Sequence, residues 1–151
     1  MRLEDIRPGL KGEVRLVVTE EHSAKQSGSG GVRVLSTPQM ILLMERAGVA
    51  AIDHFLPKDY RTVGAHLNVR HLAPTPIGFE VSAVAEVIEV DGRSVIFRVQ
   101  AYDRPPGPSL PGGTRDLGEL VGEGTHQRVI VDKQRFDDRV AQKAGMSPSD
   151  R

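Results

Sequence analysis

The chain has 151 residues, enough for one domain with a sizeable core. Its 20 Lys and Arg balance 20 Asp and Glu, so it lacks the basic excess of a dedicated nucleic-acid binder. It contains no cysteine, which excludes disulfides, thiolate zinc sites and cysteine nucleophiles and suits the cytoplasm. The longest apolar stretch, Met40 to Ile52, is interrupted by Glu45 and Arg46 and is too short to span a membrane. The start, Met1-Arg2-Leu3-Glu4-Asp5, lacks the apolar core of a signal peptide. A membrane-free, nucleic-acid-free protein is therefore expected.

Residues 13–19 predict a half-buried strand, with Val14, Leu16 and Val18 on one side and Arg15 and Thr19 opposite. Residues 20–31 end in Ser27-Gly28-Ser29-Gly30-Gly31 and read as a loop or flap. A long helix is predicted over 38–55. Ser36 or Thr37 can cap it, and Pro38 suits its first turn. Met40, Leu43, Met44, Ala47, Ala50 and Ala51 give it a broad apolar face, widened by Ile41, Val49 and Ile52. A helix apolar almost all round is expected to be buried.

Period two returns over 62–72, where Val63, Ala65, Leu67, Val69 and His71 share one side. A hairpin follows over 79–90 and 94–103. Val81, Ala83, Ala85 and Val87 align with Val95, Phe97, Val99 and Ala101 across an Asp91-Gly92 turn. Residues 104–118 hold Pro105, Pro106, Pro108 and Pro111 and read as an irregular, mobile excursion. A last strand is expected over 119–131 and a short charged helix over 132–143, anchored by Phe136 and Val140. From Gly145 a disordered tail is expected. The economical arrangement is α+β: one antiparallel sheet wrapped around one long helix in a single domain, 1–144. Such a sheet covers the helix on one side only, so a homodimer or higher oligomer is expected. The arrangement is similar to the hotdog architecture.

Glu45 stands out because it interrupts the apolar helix, where a buried carboxylate costs several kcal/mol unless paired. It is either functional or lies on a solvated stripe beside Arg46 or Arg70. His71 continues the apolar side of its strand and should face the helix. A histidine held by a carboxylate suits proton transfer near neutral pH; the plainer alternative is a strand-end side chain that reaches water. Ser36 and Thr37 either cap the helix or place a hydroxyl beside its free N-terminal amides, which can hold an oxyanion. The other histidines are weaker candidates. His22 lies in a loop, His54 at the helix end, His66 on a polar side with Asn68 and Arg70, and His126 in the last strand. No zinc spacing, P-loop, Gly-x-Gly-x-x-Gly or Gly-x-Ser-x-Gly occurs, so neither a metal nor a cofactor is expected.

Three segments together resemble the fluoroacetyl-CoA thioesterase family of hotdog-fold thioesterases. Thr37 precedes Met-Ile-Leu-Leu-Met-Glu45 at the family's threonine-to-glutamate spacing. Gly64-Ala-His-Leu-Asn-Val-Arg-His71-Leu-Ala-Pro-Thr-Pro-Ile-Gly78 matches its strand and Thr-Pro-x-Gly turn. Gly124-Thr-His-Gln-Arg128 matches its Gly-Thr-His-x-Arg strand. The resemblance implies a catalytic set of Thr37, Glu45 and His71. It also implies that Gly64 binds the thioester carbonyl through its backbone and that Arg128 forms or supports the acyl pocket.

The resemblance departs at two places. The fluoroacetate-specific member carries phenylalanines in a lid before the catalytic helix, whereas residues 27–33 here contain no aromatic. It therefore carries thioesterase chemistry but not selectivity for a fluorinated acyl group. Residues 104–118 also look like an insertion. The expected function is hydrolysis of a small acyl-CoA thioester; the alternative is a non-catalytic acyl-CoA-binding module. An ideal helix separates residues 37 and 45 by about 12 Å, so Thr37 and Glu45 should not bond each other, and His71 is the natural bridge.

Overall fold

The computed structural model describes residues 3–26, 28, 30–108 and 116–146. Five strands and two helices follow in chain order: β1 (Lys11–Val17), α1 (Thr37–Ile52), β2 (Tyr60–His71), β3 (Glu80–Asp91), β4 (Ser94–Arg104), β5 (Glu119–Asp132) and α2 (Lys133–Lys143). The sheet order is β1-β3-β4-β5-β2, and every pairing is antiparallel. One face of this sheet wraps around α1, as hotdog folds do. Among the described residues, no helix is long and apolar enough to cross a membrane.

The core is the meeting of two periods. On α1, Met40, Leu43, Met44, Ala47 and Ala51 are almost fully buried, at helical spacing. On the hairpin, Val81, Ala83, Ala85, Val87, Val95, Phe97, Val99 and Ala101 point at them, all buried. Gly12 lets β1 come closest to the helix: a Cβ there would overlap the Ala47 carbonyl and the Ala51 nitrogen. That contact sets β1 two residues earlier than the alternation of Val14, Leu16 and Val18 suggested. The helix also ends earlier than expected, because Asp53–Phe55 tighten into a 3-10 turn before Pro57. The hairpin turn is Gly92-Arg93, one residue later than expected, with Asp91 paired to Ser94.

The larger correction concerns β2. Gly64 pairs with Arg128 and His66 with Gln127, so Ala65 is an extra, unpaired residue. This bulge reverses the alternation. Before it, Thr62 and Gly64 face the helix side; after it, Leu67, Val69 and His71 do. Val63 and Ala65 therefore do not share the face of His71, as a strict period of two required.

One flank of α1 stays uncovered in the single chain. Leu42 and Val49 are 38% and 37% exposed, and Leu67 on the neighbouring edge strand β2 is 38% exposed. Of the three residues expected to widen the buried face, Ile52 is buried, Ile41 half-buried and Val49 exposed. The helix α2 closes with Gly145 at φ 75° and a bond from the Met146 N–H to the Ala141 carbonyl, at 2.8 Å. The heart of the expected mobile excursion, 109–115, and the end of the expected tail, 147–151, lie outside the described residues.

Candidate active site

Thr37 and Ser36 divide the two tasks open to a hydroxyl at a helix start. Ser36 is the cap: its Oγ accepts from the Gln39 N–H at 3.3 Å. Thr37 is thereby released, and its Oγ1 lies 2.8 Å from His71 Nδ1. The bulge at Ala65 is what brings His71, the last residue of β2, round to this side. The turn after His71 is fixed from below, where buried Thr75 donates its hydroxyl to buried Asp103 Oδ2 at 2.7 Å. His71 Nε2 is buried and has no hydrogen-bond partner among the described residues. Burial holds the imidazole pKa below its ordinary 6.5, so the ring is neutral at pH 7. A neutral imidazole with a free ring nitrogen is equipped to take a proton.

Thr37 and His71 line a cleft of about 340 Å³ whose other walls are apolar, including Val32, Val34, Leu35, Leu72 and Pro74. The expected flap forms one wall. Ala24 and Lys25 N–H groups bond to the Val34 and Val32 carbonyls at 2.7 and 2.9 Å, and the Leu35 N–H bonds to the Thr75 carbonyl at 2.9 Å. Among the described residues, no Phe, Tyr or Trp lines this cleft.

A second cluster lies two helical turns along α1. Glu45 Oε2 is 3.6 Å from Arg128 Nη1, and its side chain is 35% exposed. Neither the solvated-stripe pairing with Arg46 nor that with Arg70 forms. Arg128 is nearly buried and fully engaged. Its Nε donates to Thr62 Oγ1 at 2.9 Å, its Nη2 to the Thr62 carbonyl at 3.0 Å, and its Nη1 to His126 Nε2 at 3.1 Å. Thr62 in turn donates to Asp53 Oδ1 at 2.6 Å. A guanidinium has no acceptor, so His126 Nε2 must accept. The His126 proton therefore sits on Nδ1 and is donated to the His66 carbonyl at 3.0 Å. Burial, with Arg128 adding to it, depresses the His126 pKa, and the bond to His66 opposes this only in part. The ring is neutral and locked.

Gly64 faces this cluster. A Cβ there would lie 3.1 Å from Glu45 Oε2 and 3.3 Å from His126 Cε1, so the crowding depends on glycine. The structure thus brings Thr37 together with His71, and Glu45 together with Gly64 and Arg128. Sequence reasoning ranked His126 among the weaker candidates and passed over Thr62 and Asp53. His126 and Arg128 share one side of β5 at period two, a signal that was available. Thr62 was hidden by the bulge, which changes the side it faces. Among the described residues, no group of His, Asp or Glu is placed to hold a metal ion.

Comparison with known proteins identifies the family. The family described as fluoroacetyl-CoA-specific thioesterase, FlK, matches residues 18–106, more than half of the chain. That stretch contains Thr37, Glu45, Gly64 and His71 and stops before Arg128. A fluoroacetyl-CoA thioesterase from Streptantibioticus cattleyicolor is 34% identical over 110 residues, covering 73% of this chain and 70% of the relative. A thioesterase-superfamily member from Thermus thermophilus superposes with a TM-score of 0.79 at 29% identity, over 93% of this chain and 94% of its own. A variant of the fluoroacetyl-CoA enzyme FlK, solved with acetyl-CoA, superposes with a TM-score of 0.76 at 28% identity, over 91% and 98%. Sequence match and superposition agree on one assignment: the chain belongs to the fluoroacetyl-CoA-specific thioesterase family, a family of hotdog-fold thioester hydrolases.

Proposed function

We propose that the protein hydrolyses a small aliphatic acyl-CoA thioester, with Thr37, Glu45 and His71 as its catalytic set. The observation that carries this is the 2.8 Å contact between Thr37 Oγ1 and His71 Nδ1 on the wall of an apolar cleft. The Thr37 N–H, the one amide of the first α1 turn not engaged by Ser36 or removed by Pro38, and the Gly64 N–H are the candidate donors to the thioester carbonyl. His71 takes a proton from a water whose oxygen bonds to the acyl carbon. The C–S bond then breaks, and the proton passes from the imidazolium to the leaving thiolate. Thr37 orients the ring and the acyl group. The Glu45 carboxylate, steered by Arg128, orients the attacking water, or attacks the acyl carbon itself to release the thiolate and leave a mixed anhydride that water then hydrolyses to free acid and Glu45.

Two copies joined antiparallel along their β2 edges would complete this site. Such a pairing sets the Gly64 end of one β2 beside the His71 end of the other. Glu45 of one subunit then approaches Thr37 and His71 of its partner, which explains why one chain holds them apart. The unpaired β2 edge and the exposed Leu42, Val49 and Leu67 support this homodimer. The lack of cysteine suits work in a reducing cytoplasm.

The test is a panel of acetyl-, fluoroacetyl-, butyryl- and benzoyl-CoA read by free-CoA release. Short aliphatic thioesters should turn over fastest, because the cleft holds about 340 Å³ and, among the described residues, offers no Phe, Tyr or Trp to an aryl group. Affinity for acyl-CoA without any CoA release would favour the alternative, a binding module.

A further inference from the structure

Among the described residues, His126 is the one fully buried histidine, yet it handles no proton in the proposed reaction. Its ring stacks on Phe97, with centroids 6.3 Å apart. Gly48 makes room beside it: a Cβ there would lie 3.7 Å from His126 Cδ2 and 3.3 Å from Arg128 Cδ. An apolar side chain would fill such a place without the desolvation cost of a buried imidazole beside a buried guanidinium. What the polar pair adds is direction.

Arg128 Nε and Nη2 are both bonded to Thr62, which fixes the plane of the guanidinium. Nη1 remains, with His126 Nε2 at 3.1 Å and Glu45 Oε2 at 3.6 Å. The first contact is a hydrogen bond, and the second is longer than one. Glu45 thus gains the nearby positive charge while its lone pairs stay free. His126 can accept from Nη1 only as the Nδ1–H tautomer, and the His66 carbonyl, 3.0 Å from Nδ1, selects that tautomer. His66 follows the unpaired Ala65, so one ring ties the β2 bulge to Arg128.

We propose that His126 is a positioning residue for the hydrolysis: by accepting a hydrogen of Arg128 Nη1 it keeps the guanidinium from closing on Glu45. The inference rests on the acyl-CoA thioesterase reading, with Glu45 in the catalytic set. Without an acceptor at Nε2, a buried Nη1–H is stranded, at a cost that a shift toward Glu45 relieves. The carboxylate is then tied up in a charge-assisted hydrogen bond. In that state it is a weaker partner for the attacking water and a weaker nucleophile. His126 acts only through Arg128, so its loss should be felt in kcat rather than in substrate binding.

Two amide side chains each copy one half of the imidazole. Glutamine reaches the place of Nε2 and offers an oxygen to Arg128; asparagine reaches only the place of Nδ1 and can serve only the His66 carbonyl. The experiment compares His126→Gln and His126→Asn with the wild type, as full chains, on the best acyl-CoA of the panel. His126→Asn should lower kcat at least ~10-fold with KM within ~3-fold, while His126→Gln should hold kcat within ~3-fold of wild type. Long-range proton–nitrogen NMR correlations of the wild type should show His126 as the Nδ1–H tautomer, a readout that needs no variant to fold. Any pattern of kcat other than glutamine retained and asparagine lost overturns the proposal, and so does an Nε2–H tautomer. If His126→Asn does not fold, the tautomer and the kcat of His126→Gln decide. A wild type that releases no CoA overturns the hydrolase reading and the proposal with it, whereas equal variants beside an active wild type overturn the proposal alone.

Discussion

At the scale of single residues, the site depends on which hydroxyl and which imidazole are left uncommitted. Ser36 spends its oxygen on the Gln39 N–H, and Thr37 keeps its own for His71. His126 is locked between Arg128 and a backbone carbonyl, whereas His71 keeps Nε2 unpartnered. His71→Ala should therefore lower kcat by about 10²-fold or more, the usual scale of acid–base catalysis. Glu45→Gln should depress kcat while circular dichroism and melting stay close to wild type. His66→Ala, exposed on the opposite side of β2, should leave kcat nearly unchanged. Full activity in both His71→Ala and Glu45→Gln would move these residues out of the catalytic set.

The two depressed histidines also predict a pH signature. Their folded pKa values lie below 6.5, so between those values and 6.5 the unfolded chain binds more protons than the folded one. Stability from this source is complete above 6.5 and falls as pH drops through the folded values. Thermal melting should be flat near pH 7–8 with respect to these groups and decline below about 6.5, with a shallower decline in His126→Gln. The acid limb of kcat/KM should likewise lie below 6.5. Glu45 was legible in the sequence because a carboxylate inside Met-Ile-Leu-Leu-Met-Glu needs a reason. Its partner was not, since Arg128 lies 83 positions away and only the packing of α1 against β5 brings the two together.

At the scale of elements, the bulge in β2 does most to shape the site. A regular β2 facing the helix through Thr62 and Gly64 would turn Arg70 inward and His71 out. The extra residue at Ala65 lets both ends of one strand serve the same face. Nothing in the alternation of 62–72 announces such a slip, because alanine and valine fit either side of a strand. The elements with unmixed periods were easy to read: α1 by its 3.6 spacing and the β3–β4 hairpin by its matched apolar sides. The excursion at 104–118 leaves the sheet from paired ends, with Asp103 opposite Glu119. Replacing residues 106–116 by a short turn should keep the β4–β5 register and shift Tm by only a few degrees. Loss of cooperative melting in that variant would show that the excursion supports the fold.

At the scale of the whole molecule, the sheet covers one side of α1, and the flank carrying Leu42 and Val49 stays exposed in the single chain. Burying Leu42, Val49, Leu67 and the β2 edge predicts a homodimer with an interface above ~2,000 Å². Sedimentation should find a dimer at micromolar concentration; a stable folded monomer there would contradict this. The exposed apolar flank that motivates a dimer was foreseeable from an over-apolar helix. The proposal of a divided site was not foreseeable, because it rests on Glu45 and Thr37 lying two turns apart while facing different clusters. The most direct test of this division mixes two inactive dimers, Thr37→Ala and Glu45→Gln, unfolds them together and refolds them. If Thr37 and His71 work with the partner's Glu45, each mixed dimer keeps one intact site. About a quarter of wild-type turnover should return, since half of the dimers are mixed and each has one active site of two. Refolded mixed dimers with no more activity than the parents would contradict the shared site.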